Sequence, residues 1–588
     1  MARLLLQLGL SAVSIGAAAA TVDHCTAFAA SPGATADGAA RVGQTADAEG
    51  GPGGSIIYVP AADHPAGSQR PVLEQGTGVK MGSVPQVPHT FAYTYNTHGY
   101  GFMNEHKLAF GESTCSARIT AKSLANNGTA LFSDEELSLL ALERCRTARC
   151  AIELMGDFAE NRGGFYGEDF GVDSGGETLV LADPSEAWVF HILADPTGRS
   201  AIWAAQRVPD GEVAFVPNSY IIRAMDLENT RDFAISSTAL AIAKELDFWD
   251  AQGTFDFART FSLGEYNNPH YSSRRLWRAY DLVAPSLKLD PSLEITPSEA
   301  AYPFSVKPDR PLKTEDIIRV YRDYYEGTEF SLVADTAAAG PFNSPLRIAG
   351  GAEEDRVANG AWERPISIYR ADYAVVNVCP PNGTGIVWFA PHTPHASVFS
   401  PAWTSSATSV PRPFVVNESL SVDHKSLFWA ASAVSNWAYG TMFSKVITDV
   451  REAQRQLEAK ASKFAETLES ATPQEQDTEL ARFAEDIHAA WWELFWSLLG
   501  KYNDGYVVTH DSVSGKPTSQ AVGYPAWWLR ATDFEHGVSA PSPSFVALKT
   551  RMAEAAVIMK KIDANRTYPA ANWATHVPAA GSTAEFIV

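Results

Sequence analysis

The chain has 588 residues, 45% hydrophobic and 11% aromatic, which suits one large packed body or two modest ones and excludes wholesale disorder. A formal net charge of -22 argues against nucleic acid and anionic membrane surfaces as partners.

Residues 1–20 have the form of a secretory signal. Arg3 is the positive end, Leu4 to Ala20 is apolar apart from Gln7 and two serines, and Ala18 and Ala20 supply the small residues before a cut. Cleavage after Ala20 would leave Thr21 to His24 as a short propeptide that needs a second step, because His24 is not small. The reading places the protein outside the cell or in a lysosomal or vacuolar lumen. No other apolar run approaches the ~20 residues of a membrane span, so no stable membrane anchor is expected. Sequons at Asn127, Asn382, Asn417 and Asn565 fit a glycoprotein.

Cys25 follows. Once residues 1–24 are gone it is the first residue, and its α-amine, titrating near ~8, can take the thiol proton. Small and apolar residues on either side of Asp37-Gly38 predict a strand, a turn and a returning strand. The return is expected to bring Arg41 beside Cys25, where a fixed cation favours the thiolate. The alternative is a structural cysteine behind a signal peptide. Of the other four cysteines, Cys145 and Cys150 suit a local disulfide or buried thiols, and the spacing argues against a structural metal.

Further along, strands are predicted over 90–95 and 99–114, with Asn104 at a strand end where a backbone N–H can face a ligand. The capping box at Ser133 opens a helix to about Arg144, and helical spacing resumes over 151–158. A hairpin series covers 178–182, 187–193, 201–208 and 213–216, with Asn218 directly after its last strand. Residues 234–248 and 314–325 read as helices, and 365–399 and 411–417 as strands. From about Lys425 long helical periodicity runs to Thr467, and again from Gln474 to Leu499. The run Trp491-Trp492-Glu493-Leu494-Phe495-Trp496 reads as core packing. His392 and His395, set among prolines, read as loop residues rather than a metal pair. The expected division is a mixed α+β body over 25–420 and a mainly helical part over 421–588.

These blocks resemble a known family. Cys25-Thr26 with Ala34-Thr35-Ala36-Asp37-Gly38 is similar to the mature start of the dipeptidase A and secernin family of N-terminal-nucleophile cysteine hydrolases. Gly101 to Ala109 with Gly111-Glu112-Ser113-Thr114 resembles its second block, Gly176 to Phe190 its third, and Trp203 to Ser219 a fourth. Tyr271 to Arg278, Tyr302 to Pro308, Lys425 to Ala430 and Lys501 to Tyr506 continue the likeness, which covers most of residues 25–535. It implies a four-layer αββα sandwich and a cysteine dipeptidase using no cofactor. Cys25 would be the nucleophile, and peptide hydrolysis would pass through a thioester. By similarity to the related choloylglycine and penicillin V acylase group, it implies Arg41 beside the nucleophile. An oxyanion hole would come from the Asn104 backbone N–H and the Asn218 side chain. An arginine of the 274–278 block, Arg275 ahead of Arg274, would complete the site, and at least one of Arg274, Arg275 and Arg278 is expected on a solvated face. Those relatives often carry an aspartate shortly after the arginine. Asp47 lies too far along for that role on this reading. The same centre would serve hydrolysis of N-acyl amines, and a non-catalytic secreted glycoprotein on this scaffold is the reading of another class.

Overall fold

The computed structural model describes residues 25–47, 54–75, 77–97, 99–167, 175–265, 270–296, 302–334, 339–348, 362–417, 421–535 and 543–564. The signal, the propeptide and the Asn565 sequon lie outside them. The chain divides into two compact units, residues 1–523 and 524–588.

The first unit opens with strands β1 (Thr26–Ala30), β2 (Ala40–Asp47), β3 (Ile56–Val59), β4 (Ala62–Asp63), β5 (Gln69–Glu74), β6 (Val79–Pro85) and β7 (His89–Thr90). β8 (Tyr93–Asn96), β9 (Gly101–Asn104) and β10 (Ala109–Cys115) lead to helices α1 (Asp134–Arg144) and α2 (Ala148–Asn161). Then come β11 (Gly176–Ala182), β12 (Ala187–Ala194), β13 (Ala201–Arg207), β14 (Val213–Val216) and β15 (Phe233–Ile235). Helices α3 (Ala239–Glu245), α4 (Phe257–Phe261), α5 (Ser273–Val283) and α6 (Thr314–Tyr321) precede β16 (Ala371–Cys379), β17 (Ile386–Pro391) and β18 (Ser400–Thr404). Long helices α7 (Leu427–Gly440), α8 (Phe443–Leu468) and α9 (Pro473–Lys501) and a small sheet of β19 (Tyr502–Asn503), β20 (Tyr506–His510) and β21 (Pro517–Ala521) complete it. The second unit contains α10 (Ala526–Ala531) and α11 (Pro543–Ala564).

Two antiparallel sheets form the centre. One runs β14-β1-β2-β16-β17-β18, the other β15-β13-β12-β11-β10-β9-β8-β3. Side chains alternate between two cores as the period of 2 requires. Val180 and Ala182 of β11 join the core shared with β1, β2 and β16, whereas Leu179 and Leu181 join the core under α1 and α2. Helices α5 to α9 pack on the six-stranded sheet. The sheets meet main chain to main chain at Gly111, where a Cβ would stand 2.6 Å from the Gly43 carbonyl oxygen, and Gly43 is pressed within its own sheet, its Cβ position 1.9 Å from the Val375 carbonyl oxygen of β16. Only a residue without a side chain fits there.

The antiparallel order of β11, β12 and β13 follows the predicted hairpins, but β14 leaves the series. It crosses to the other sheet and pairs with β1, Ala27 opposite Val216, while β15 takes the free edge of β13. Ser31 fixes the crossover, its N–H and hydroxyl both donating to the Glu212 carbonyl. The strand predicted at 411–417 is instead a short 3-10 turn at Arg412–Phe414, since Pro411 and Pro413 cannot donate to a ladder. The helix predicted over 234–248 shortens to α3 behind β15. The helix predicted over 425–467 breaks after Gly440 into α7 and α8. In α9, Trp491 is buried, but Trp496 is 54% exposed and is not core.

Candidate active site

The site is built where three strands end together. Cys25 heads β1 and is buried. The β1–β14 register, continued two residues, sets Asn218 abreast of it. The β1–β2 register, Thr26 opposite Thr45, sets Ala46 abreast of Cys25, with Asp47 next along β2. Arg275, on the first turn of α5, closes the group. Its Nη1 donates to the Cys25 carbonyl at 2.8 Å and to Thr26 Oγ1 at 2.9 Å. Its Nη2 donates to the Pro217 carbonyl at 3.1 Å and to Asn218 Oδ1 at 2.7 Å, and its Nε to the Tyr271 carbonyl at 3.0 Å. The five acceptors match the five N–H groups of a guanidinium. Burial, helped by nearby Arg364, pulls this guanidinium down to about 10.

Asn218 is fully buried with φ 61°, a left-handed conformation that asparagine tolerates better than most residues. Its N–H donates to Ser113 Oγ at 2.9 Å and its Nδ2 to the Thr114 carbonyl at 2.8 Å. Nδ2 carries a second hydrogen. Those contacts fall on the outer edge of β10. β9 pairs with β10 only at Met103–Ala109, so beyond that point the edge is open to other groups.

The structure brings together Cys25, Asn218 and Arg275 of the residues singled out in the sequence. It does not bring Arg41 or Asn104. Arg41 pairs with Ala30 at the turn end of the hairpin, five positions from Cys25, or roughly 17 Å at strand rise. There it grips both oxygens of Asp37, at 2.8 and 2.6 Å, and the Ala39 carbonyl. The residue beside the sulfur is Gln44, three positions on, with Nε2 3.8 Å from Sγ. The Asn104 N–H is spent on the Leu108 carbonyl at 2.9 Å. Its Nδ2 donates to the carbonyls of Leu142 and Cys145 at the end of α1. Asn104 therefore closes the β9–β10 turn onto α1 instead of facing the thiol.

Asp47 is corrected in the other direction. It lies at the Cys25 end of β2, buried, with Oδ2 bonded to Arg364 and 3.4 Å from Arg370. Arg274 and Arg278 are both buried too. Arg274 lies over the Phe330 ring at 3.7 Å, and Arg278 binds both oxygens of Asp323 at 2.9 and 2.8 Å. No member of the Arg274, Arg275 and Arg278 set is solvated.

Sequence reasoning passed over a group of buried carboxyls next to Gln44. Glu112, Asp134 and Glu177 hold carboxyl oxygens within 4.8 Å of one another. Burial pushes Glu112 up to about 8 against the pull of hydrogen bonds with Cys25, Thr114 and Glu177. A signal was present: Glu112 and Glu177 each stand inside a strand whose every residue is buried, a place carboxylates rarely occupy.

Elsewhere, Cys145 and Cys150 form a disulfide. Cys115 and Cys379 are buried thiols that burial pushes up, away from reactivity. His395 is bonded to Ser367, Thr393 and Tyr439, and His392 to Ser435.

Residues 25–456 match the family model for peptidase family C69, and the chain belongs to that family. It is similar to a probable dipeptidase B of Streptococcus pyogenes serotype M6, 21% identical over 459 residues, spanning 73% of this chain and 82% of the relative. A probable dipeptidase of Latilactobacillus sakei is 24% identical over 282 residues, 46% of this chain and 51% of its own. Among solved structures, a mutant conjugated bile acid hydrolase from Clostridium perfringens aligns over 68% of this chain and 99% of its own at 11% identity. Its TM-score is 0.29, too low to bear on the fold. No helix among the described residues is long and apolar enough to cross a membrane.

Proposed function

We propose that this peptidase hydrolyses dipeptides with Cys25 as the first residue of its mature chain. The observation that carries the reading is the Arg275 fork, which ties the Cys25 carbonyl and the Asn218 amide oxygen into one buried unit, at the residue where the family match begins.

The α-amine of Cys25 takes the Sγ proton, and the sulfur attacks the scissile carbonyl. The second hydrogen on Asn218 Nδ2 serves the oxyanion that forms. As the tetrahedral intermediate collapses, the C–N bond breaks and the α-ammonium returns its proton to the leaving amine. Water then cleaves the thioester. Asp47, the next residue on β2 after Ala46, would hold the new amino group. Its buried Oδ1 has no hydrogen-bond partner among the described residues, which supports that role.

The stacking of β1, β2 and β16 on β10 and β11, with helices outside each sheet, supports a four-layer αββα sandwich of the N-terminal-nucleophile kind. The leader and the exposure of Asn127, Asn382 and Asn417 support a secreted or lumenal glycoprotein. N-terminal sequencing and intact mass of protein made through its own secretory route test the reading. The expected mature chain starts at Cys25, and Cys25→Ala loses dipeptide hydrolysis by more than about 10³-fold. A fully active chain starting at Thr21, or a Cys25→Ala protein with near wild-type turnover, overturns it.

A further inference from the structure

The sulfur of Cys25 sits over a layer that the dipeptidase reading does not use. Gln44 bridges the two sheets. Its Oε1 accepts the Glu112 N–H from the open edge of β10. Its Nε2 stands 3.2 Å from Tyr373 Oη, 3.5 Å from Glu112 Oε2 and 3.8 Å from Cys25 Sγ. An amide nitrogen has two hydrogens, so three acceptors compete for them and at least one must bring a hydrogen of its own.

Tyr373 and a neutral Cys25 carry hydrogens of their own; once Cys25 is a thiolate, Glu112 is the titrating neighbour that can bring one to it. It hydrogen-bonds Cys25 directly, and its Oε1 accepts from Thr114 Oγ1 at 3.1 Å. The groups facing it are Cys25 of β1, Gln44 of β2, Glu177 of β11, and Asp134 and Glu135 at the head of α1. None of these is a cation. Carboxyls this close and this buried cannot all ionise, because each added charge repels the others in a medium that screens poorly. The burial that raises Glu112 acts in the same direction.

We propose that Gln44 and Glu112 form a neutral, proton-carrying cradle for the Cys25 sulfur, with Glu112 a carboxylic acid that donates to the thiolate, and that this cradle sets the thiol's reactivity. The inference rests on Cys25 being the nucleophile. When the α-amine removes the Sγ proton, Glu112 keeps its own and points it at the sulfur. When Glu112 itself ionises, two negative charges face each other and the thiolate is disfavoured. Gln44 and Glu112 are positioning residues, acting through the thiol.

The test follows alkylation of Cys25 by iodoacetamide against pH in the full mature chain, read by mass on the peptide carrying Cys25, beside kcat/KM over the same range. The wild type is expected to show two coupled apparent pKa values and a fall in kcat/KM above about pH 8. Glu112→Gln keeps a donor and removes the ionisation, so alkylation should follow one titration and the fall should vanish. A Glu112→Gln protein that keeps the wild-type fall and profile overturns the cradle. Gln44→Leu leaves Glu112 in place and breaks the bridge. Alkylation at neutral pH should slow by about tenfold, the equivalent of one pKa unit, and an unchanged rate overturns the proposal equally. The alkylation profile reads the cradle whatever the substrate. Loss of the dipeptidase reading shows separately, as turnover that survives Cys25→Ala.

Discussion

The two ends of the β1–β2 hairpin can be set side by side. At the turn end Arg41 grips Asp37, whose side chain is 55% exposed, and ties the turn to Thr314 at the start of α6. At the open end Cys25, Gln44 and Asp47 are all buried, with Gln44 Nε2 3.8 Å from the sulfur and Arg275 bonded to the Cys25 carbonyl. Both ends are built from small and apolar residues with one or two polar ones, so composition does not separate them. Strand register does. Three positions along β2 decide whether a side chain guards a turn or faces the Cys25 sulfur.

That contrast breaks most sharply at Asn218. Asn218→Ala should lower kcat for dipeptide hydrolysis by ~10²-fold with little change in KM, since the donor acts on charge present only in the transition state. A raised KM with unchanged kcat would assign Asn218 to substrate positioning. Arg275→Lys comes next. An ammonium has three donors for the five acceptors that Arg275 serves, so two buried acceptors lose their partner. The expected cost is about 2–4 kcal/mol of stability, measured by urea unfolding, with activity falling alongside.

Glu112→Gln should alter the pH dependence of stability independently of catalysis. Burial raises the folded-state value of Glu112 above its ordinary 4.5 to about 8. Its contribution is therefore fully present below about 4.5 and lost as pH rises through about 8. Across that window the variant's unfolding free energy should fall less steeply, by up to about 1.4 kcal/mol per pH unit for one proton. An identical slope in both proteins would mean that Glu112 is already ionised. The smallest effect belongs to the turn end. Arg41→Met should leave the alkylation profile of Cys25 unchanged and cost about 1–2 kcal/mol, because its charged partner is half exposed and the loss is mainly that of the bonds to the Ala39 carbonyl and Thr314. A shifted thiol profile in that variant would put the hairpin register in question.

What the sequence disclosed divides along the same line. Residues that announce their chemistry, such as Cys25 behind a leader and Arg275 in a block of arginines, were legible and are brought together. Local elements were legible too, as with Ser133 capping α1 and the hairpins from β11 to β13. Long-range pairing was not. Nothing in Val213–Val216 tells that β14 crosses to β1, because that depends on which strand edges remain open after the rest has folded. Gln44 was invisible for the same reason: an amide among alanines and threonines gains meaning only from what the second sheet presents to it. Asn104 misled because a strand-end asparagine looks alike whether its N–H faces a ligand or the Leu108 carbonyl.

The pinch at Gly43 and Gly111 makes the thickness of the molecule a part of its reactivity. Packed sheets ordinarily stand about 10 Å apart with side chains between them, yet here one main chain rests on another. Gln44 and Glu112 are each the next residue after one of these glycines, so the gap between backbones sets the length of the amide bridge. A methyl at Gly111 would act as a shim, lifting β10 from β2 and drawing Gln44 off β10, whereas one at Gly43 would strike the Val375 carbonyl within its own sheet and distort β2 next to Gln44. Under random mutagenesis scored for turnover, these two positions would behave as active-site residues while contributing no functional group. The surroundings of the Cys25 sulfur are set, in effect, by a spacer made of nothing.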